Sequence, residues 1–311
     1  LASAFVAFDG DPRESSMAVL RPASFLKHVL HARPSWRRRP MEISQITVAC
    51  SNSVFRVSCG EEKVLLRIYG STEHGIFRRE DEVKRARFVA GCGFGPQVLV
   101  NFDEGRVEEW LEGRAPTHKE IRTEEAIRLI ARKLREFHDR TGLNHNDLHH
   151  NNMLMRDGDL QILDFEYSGD LDPAYDIANH FNEWMYPYCG DEPHLYQQWL
   201  YPSLSQRRSF CSHYLGSKGK GTLVDDFLWE VERRQQDSHA FWVRWAESSP
   251  SEFNTKYGMA RKQLLRGVVD PAASRQHSTE PAKLANGWVG IAETFNSFLQ
   301  APDMGVKPAN L

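Results

Sequence analysis

Apolar and polar positions alternate over residues 43–69 in β-branched and aromatic runs broken by polar turns. Ile46-Thr47-Val48, Val54-Phe55-Arg56-Val57 and Val64-Leu65-Leu66-Arg67-Ile68-Tyr69 are therefore predicted strands. In the third, Val64, Leu66 and Ile68 fall on one face and Leu65, Arg67 and Tyr69 on the other. A mid-strand arginine flanked by apolar neighbours needs an anionic partner, and the helix predicted over 79–90 offers Glu82. A short helix precedes the strands at 24–31, and further strands are predicted at 98–100 and 106–111. Beyond 113 the period lengthens to that of a helix. Ile127, Ile130, Leu134 and Phe137 form one stripe over 124–138, and Asp172-Pro173 reads as a cap and first turn. From there Ala174, Ile177, Ala178, Phe181 and Met185 are expected to face the core, with Asp176, Asn179, His180 and Glu183 on the other side. A further helix at 238–247 carries Trp242 and Trp245 three apart, on one face. The pattern predicts an α+β chain: a small antiparallel sheet with one helix, then a larger, mainly helical part.

Residues 145–166, HNDLHHNNMLMRDGDLQILDFE, carry the candidate chemistry. Asp157-Gly158 is a two-residue turn signal between the runs Met153-Leu154-Met155 and Leu160-Gln161-Ile162-Leu163. With that turn at the tip, antiparallel pairing sets Asn152 opposite Leu163 and Asn151 opposite Asp164. Asn152 and Asp164 then meet at the open end of the hairpin, and Asp147 lies on the loop that enters it. Two oxygen ligands for a hard cation beside a carboxylate that can take a proton are what metal-assisted phosphoryl transfer requires. A plain surface hairpin explains the turn but not the phasing of the acids. A zinc cluster of His145, His149 and His150 around Asp147 lacks the separated ligands that closed zinc sites use.

At 311 residues the chain has room for two lobes. Its 41% hydrophobic and 26% charged residues are those of an ordinary globular protein, and a net charge of −3 gives no support to a nucleic-acid partner. The apolar runs are too short for a membrane span, and the start lacks the basic and apolar regions of a signal peptide. Five cysteines, odd in number and without a Cys-x-x-Cys pair, predict a reduced, cytoplasmic setting. Residues 1–20 read as a loose segment, 270–286 as a polar linker with two prolines, and 288–299 as a short amphipathic helix.

His145-x-Asp147-x4-Asn152, with Asp164-Phe165-Glu166 beginning twelve residues after the asparagine, resembles the catalytic and metal-binding loops of kinase-like phosphotransferases. His145-Asn146-Asp147-Leu148, Leu163-Asp164-Phe165-Glu166-Tyr167 and the run from Asp176 to Trp184 (DIANHFNEW) are similar to the choline/ethanolamine kinase family, over about residues 25–265. Glu183-Trp184-Met185-Tyr186-Pro187-Tyr188 is closer to its choline kinases.

The resemblance implies a bilobal, protein-kinase-like fold: an ATP-binding lobe over 1–112, a catalytic and choline-binding lobe over 113–269, and a linker and tail helix over 270–311. It implies transfer of the ATP γ-phosphoryl group to the hydroxyl of choline, or less readily ethanolamine, with Mg²⁺ as cofactor and ATP as co-substrate. It is compatible with a homodimer. Asp147 would accept the hydroxyl proton, while Asn152, Asp164 and Glu166 would hold the metal. Ser51-Asn52-Ser53 would cover the phosphates, Arg67 would reach them with Glu82 as its partner, and the backbone of Glu109 and Leu111 would take adenine. Asp176 would brace the catalytic loop. A quaternary ammonium has no N–H donors, so aromatic faces must select it. Tyr188, Trp242, Trp245, Phe253 and Tyr257 match that role beside Asp147, with Glu183 as compensating charge.

The chain departs from the family pattern at three places. Ala49-Cys50 replaces the glycines before Ser51, and Asn151 replaces a glycine where asparagine best tolerates a left-handed backbone. Only six residues lie between His138 and His145, where the family carries a long, largely helical insertion. Two other classes remain at this point. An aminoglycoside-type kinase lacks the Asn-His-Phe-x-Glu-Trp run. A catalytically inactive binding homologue has no need of Asp147, Asn152 and Asp164 together.

Overall fold

The structure is a computed structural model that describes residues 22–48, 52–70, 79–216, 221–248 and 250–267. Ser51, the 1–20 segment and the 270–311 linker and tail lie outside the described residues.

The alternating segments form one five-stranded antiparallel sheet, in the order β1-β2-β3-β5-β4: β1 (Glu42–Val48), β2 (Asn52–Cys59), β3 (Glu62–Tyr69), β4 (Val98–Phe102) and β5 (Gly105–Glu109). Val64, Leu66 and Ile68 are buried as their phase requires. With Phe55, Val57 and Val107 they form a core closed by Val29 of α1 (Leu26–Ala32) and by Trp36, whose Nε1 donates to Glu62 (3.0 Å). The helix α2 (Arg79–Gly91) packs beside β4.

The rest is mainly helical. α3 (Glu124–Thr141) starts at a Thr123 cap that accepts from the Ala126 N–H, and it stops at Gly142, whose φ of 68° continues no helix. Ile127, Ile130, Leu134 and Phe137 are all buried on its inner face. β6 (Leu143–Asn144) follows at once and pairs with β9 (Gly169–Asp170), so the chain passes directly from α3 into the loop at His145. β7 (Met153–Arg156) and β8 (Asp159–Ile162) form the expected hairpin, with Met153 opposite Ile162. Arg114 bridges to Met155, joining the segment after the sheet to this hairpin.

α4 (Pro173–Glu183) begins at Asp172, whose side chain accepts from the Tyr175 N–H. The polar face expected beside the core face of α4 is covered as well, so the helix is buried from Tyr175 to Glu183. The core of α3, α5 (Leu204–Leu215) and α6 (Thr222–Arg233) covers one side, and the 145–152 loop with α7 (Gln235–Ser248) covers the other. α8 (Glu252–Gly267) packs along α7. No helix among the described residues is long and apolar enough to cross a membrane.

Candidate active site

Asp176, in the first turn of α4, holds the loop that carries Asp147. One carboxylate oxygen accepts from the His145 N–H (2.6 Å) and the other from the Asn146 N–H (2.8 Å). His138 Nε2 lies 2.9 Å from the same carboxylate, and Tyr214 of α5 bonds the other ring nitrogen at 2.8 Å. Burial works against charge on Asp176, yet His138 and the His145 N–H hold its carboxyl below the usual range. Asn179, one turn on, donates to the Asn146 carbonyl (3.0 Å), and His180 Nδ1 bonds the Leu148 carbonyl (2.7 Å). α4 therefore braces the loop at three successive points.

Asn146, Asp164 and Tyr188 have φ of 66°, 64° and 50°, a conformation costly to residues with a side chain and held here by the surrounding bonds. Asn151 corrects the sequence reading. It lies in the 3-10 turn His150–Asn152 and is not left-handed, so the glycine of the family pattern is not needed for backbone reasons.

Asn152 Nδ2 donates to the Asp147 carbonyl (2.8 Å) and to its Oδ2 (2.9 Å), which leaves Oδ1 of the amide as a ligand oxygen. The Leu163 N–H donates to the Asn152 carbonyl (2.9 Å), so Asn152 and Leu163 are opposite, as the hairpin phasing requires, and Asp164 follows directly. Burial pushes the Asp147 carboxyl well above the usual carboxylate range, and Glu183, Asp164 and Glu166 push it further. Glu166 is pushed up to about 8 by burial, Asp164 and Glu82. Asn152 Oδ1 and the carboxylates of Asp164 and Glu166 are oxygen donors of the kind a hard divalent cation takes. Among the described residues no three His, Cys, Asp or Glu side chains converge as metal ligands, so the zinc cluster of His145, His149 and His150 is not formed.

Across from this loop the sheet presents two arginines. Arg67 and Arg106 are direct cross-strand partners, and Glu108 lies between them, 3.3 Å from Arg67 Nε and 2.7 Å from Arg106 Nε. The sequence paired Glu82 with Arg67. The structure sets Arg106 Nη1 on Glu82 instead, at 2.8 Å. The cause is the sheet order: α2 packs beside β4, so β5 stands nearer to it than β3 does. Burial opposes the charge on Arg67, but Glu108, Asp164 and Glu82 keep it firmly protonated. Arg67 thus lies within electrostatic reach of the Asp164 mouth. Asn52 is buried at the start of β2 with Ser53 beside it. The Glu109 N–H is taken by the Gln97 carbonyl (2.9 Å), which confines any adenine contact at this residue to its carbonyl.

The aromatic residues converge as one cluster. Trp242 lies 5.4 Å from Trp245 and 6.3 Å from Tyr257, and Phe253 stacks on Tyr257 at 5.9 Å. Tyr186 joins them to Tyr188, with ring centroids 5.9 Å apart. Trp242 is buried with its Nε1 on Asn179 (2.8 Å), whereas Trp245, Tyr188 and Phe253 are only partly buried. Glu183 is not a free compensating charge, and here too the sequence reading is corrected. Its carboxylate is bonded by Arg261 and by Tyr188 Oη (2.5 Å). Arg261 was missed in the sequence. It sits four positions after Tyr257 on α8, with its guanidinium over the rings of Tyr186 (4.4 Å) and Tyr257 (5.0 Å).

A small antiparallel sheet above a helical lobe, with Asp147 and Asp164 at the mouth between them, is the two-lobed architecture of the kinase-like phosphotransferases. Comparison with solved structures gives the same fold. A choline kinase from Cryptosporidium parvum matches with a TM-score of 0.69 at 20% identity, over 78% of this chain and 94% of that one. A Plasmodium vivax ethanolamine kinase matches with a TM-score of 0.65 at 20% identity, over 84% and 92%. The family described as choline/ethanolamine kinase matches residues 43–143 and 140–265. A probable choline kinase of Arabidopsis thaliana is 30% identical over 66% of this chain and 79% of its own length. A human choline/ethanolamine kinase is 28% identical over 72% and 78%. The chain belongs to the choline/ethanolamine kinase family, whose members are ATP-dependent kinases. The two matched stretches overlap at residues 140–143, at the direct α3-to-loop connection.

Proposed function

We propose that this chain moves the γ-phosphoryl group of ATP to the hydroxyl of choline, giving phosphocholine. One observation carries the reading: Asp147, fixed by Asn152 and by the Asp176-braced loop, lies within electrostatic reach of Asp164 and of Glu183, which borders the aromatic cluster. In this reading Asp147 orients the acceptor hydroxyl and takes its proton, and its raised pKa suits it to that exchange. Arg67 faces the phosphates, which the Ser51-Asn52-Ser53 segment covers, and the adenine edge meets Glu109 and Leu111. Asn152 Oδ1, Asp164 and Glu166 would hold Mg²⁺, which when bound supplies charge neutralisation for the ATP phosphates. Tyr188, Trp245 and Phe253 offer partly exposed ring faces to the ammonium group, while Trp242 and Tyr257 back them.

Ethanolamine is the second reading, supported by relatives named for both amines. Choline is favoured because Glu183, the acid bordering the aromatic wall, is already paired, which leaves ring faces rather than carboxylate acceptors to meet the ammonium. A reduced, cytoplasmic setting accords with the free state of Cys59, Cys92, Cys189 and Cys211. The test is phosphoryl transfer from labelled ATP to choline, to ethanolamine and to no acceptor, with and without Mg²⁺. Mg²⁺-dependent phosphocholine formation is expected to exceed phosphoethanolamine formation. Transfer to neither amine contradicts the reading.

A further inference from the structure

His149 is two residues beyond Asp147, at a position that none of the roles above uses. Its ring is held by a hydrogen bond at one nitrogen and faces a carboxylate with the other. Nδ1 accepts from the Asn151 N–H at 3.2 Å, as the cap of the 3-10 turn that ends in Asn152. Nε2 faces Oδ2 of Asp147 at 3.7 Å. A neutral imidazole that accepts at Nδ1 must carry its proton on Nε2. The Nε2–H therefore lies on the side of the carboxylate, 3.7 Å from Oδ2, the oxygen that Asn152 Nδ2 holds at 2.9 Å. Tyr188 lies beside the imidazole, with ring centroids 5.2 Å apart, and His150 lies 6.2 Å away.

We propose that His149 is a positioning residue for Asp147: its Nε2–H and the Asn152 amide together hold Oδ2, and Oδ1 is the oxygen that meets the acceptor hydroxyl. The inference rests on the phosphotransferase reading above. The separation of 3.7 Å is longer than a hydrogen bond. Such contacts are commonly long without substrate and tighten in the complex. In the complex the carboxylate is turned by two donors on one oxygen, so it presents the other in a single orientation to the reacting group. The contact of His149 with Tyr188 also links this orientation to the amine side of the site.

Two substitutions separate the donor from the cap. In His149→Asn the amide can still accept from the Asn151 N–H but no longer reaches Asp147. In His149→Gln the amide places an N–H near the position of Nε2. His149→Asn is expected to lose about 10- to 100-fold in kcat, the range for a hydrogen bond to a charged group, with KM for ATP and choline changed by no more than about twofold. His149→Gln is expected to recover most of that loss. An unchanged kcat in His149→Asn overturns the inference, and so does an equal loss in both variants. The tautomer is read separately in the wild-type protein by nitrogen-15 histidine NMR, without any acceptor. A proton on Nε2 near neutral pH supports the inference, and one on Nδ1 overturns it. Absence of transfer to choline or ethanolamine by the wild type contradicts the functional reading instead, and the spectrum still decides the placement of the His149 proton.

Discussion

Glu183 and Arg261 form an ion pair whose side chains are 1% and 0% exposed, inside the wall of the proposed amine subsite. Arg261 also lies over Tyr186 and Tyr257, so a cation of the protein itself occupies ring faces there. A buried pair is costly to break from one end, because the other charge stays desolvated. Arg261→Gln is expected to lower unfolding stability by about 3–5 kcal/mol in urea titration. Glu183→Leu combined with Arg261→Met should recover much of that loss. A double variant as unstable as Arg261→Gln contradicts the assignment.

The two tryptophans of α7 should separate in their effects. Trp245 is partly exposed, and Trp245→Ala is expected to raise KM for choline by about 2- to 30-fold, the range of one cation–π contact, with little change in KM for ATP. Trp242 is buried and bonded to Asn179, so Trp242→Ala should also lower stability by about 3–5 kcal/mol. A folded Trp245→Ala protein with an unchanged KM for choline removes this residue from the subsite.

Two periodic signals were legible in the sequence because they are local. The α3 stripe needs only a 3.6-residue period, and the hairpin register needs only the Asp157-Gly158 turn, so Asn152 falls opposite Leu163 as expected. What the sequence could not show depends on neighbours distant along the chain. Arg106 rather than Arg67 reaches Glu82 because β5 stands between β3 and β4. Arg261 reaches Glu183 from a helix 78 residues away. The two faces of α4 were legible, but what covers the polar one was not: it lies against the catalytic loop and α7, where Asp176, Asn179 and His180 meet backbone groups and Asn179 also receives Trp242. The left-handed backbone expected at Asn151 occurs at Asn146 and Asp164 instead.

Acid should weaken the fold through its buried neutral histidines. Burial lowers His180 from 6.5 to about 4 and, with Arg261, lowers His239 to about 2. Below pH 6.5 the unfolded chain binds more protons at these sites than the folded one. Their contribution is therefore complete above pH 6.5 and is lost as pH falls towards the folded pKa, at up to about 1.4 kcal/mol per pH unit for each histidine. Urea titrations at pH 7 and pH 5 should show the lower stability at pH 5, and His239→Gln should reduce the difference. Equal stability at both values contradicts the neutral, buried state.

Asp164→Ala removes one oxygen ligand and its charge from the hairpin mouth. Mg²⁺ is expected to strengthen ATP binding to the wild type and to have little effect on the variant, as read by calorimetric titration with and without the ion. The same enhancement in both proteins contradicts the metal assignment.

Asp147→Asn tests the account at its centre. The amide keeps the size of the carboxylate and can still meet Asn152, but it cannot take the hydroxyl proton. ATP affinity should stay close to that of the wild type, while the rate of phosphocholine formation falls by about 10²- to 10⁴-fold. Turnover near the wild-type rate in a folded, ATP-binding Asp147→Asn protein would contradict the account.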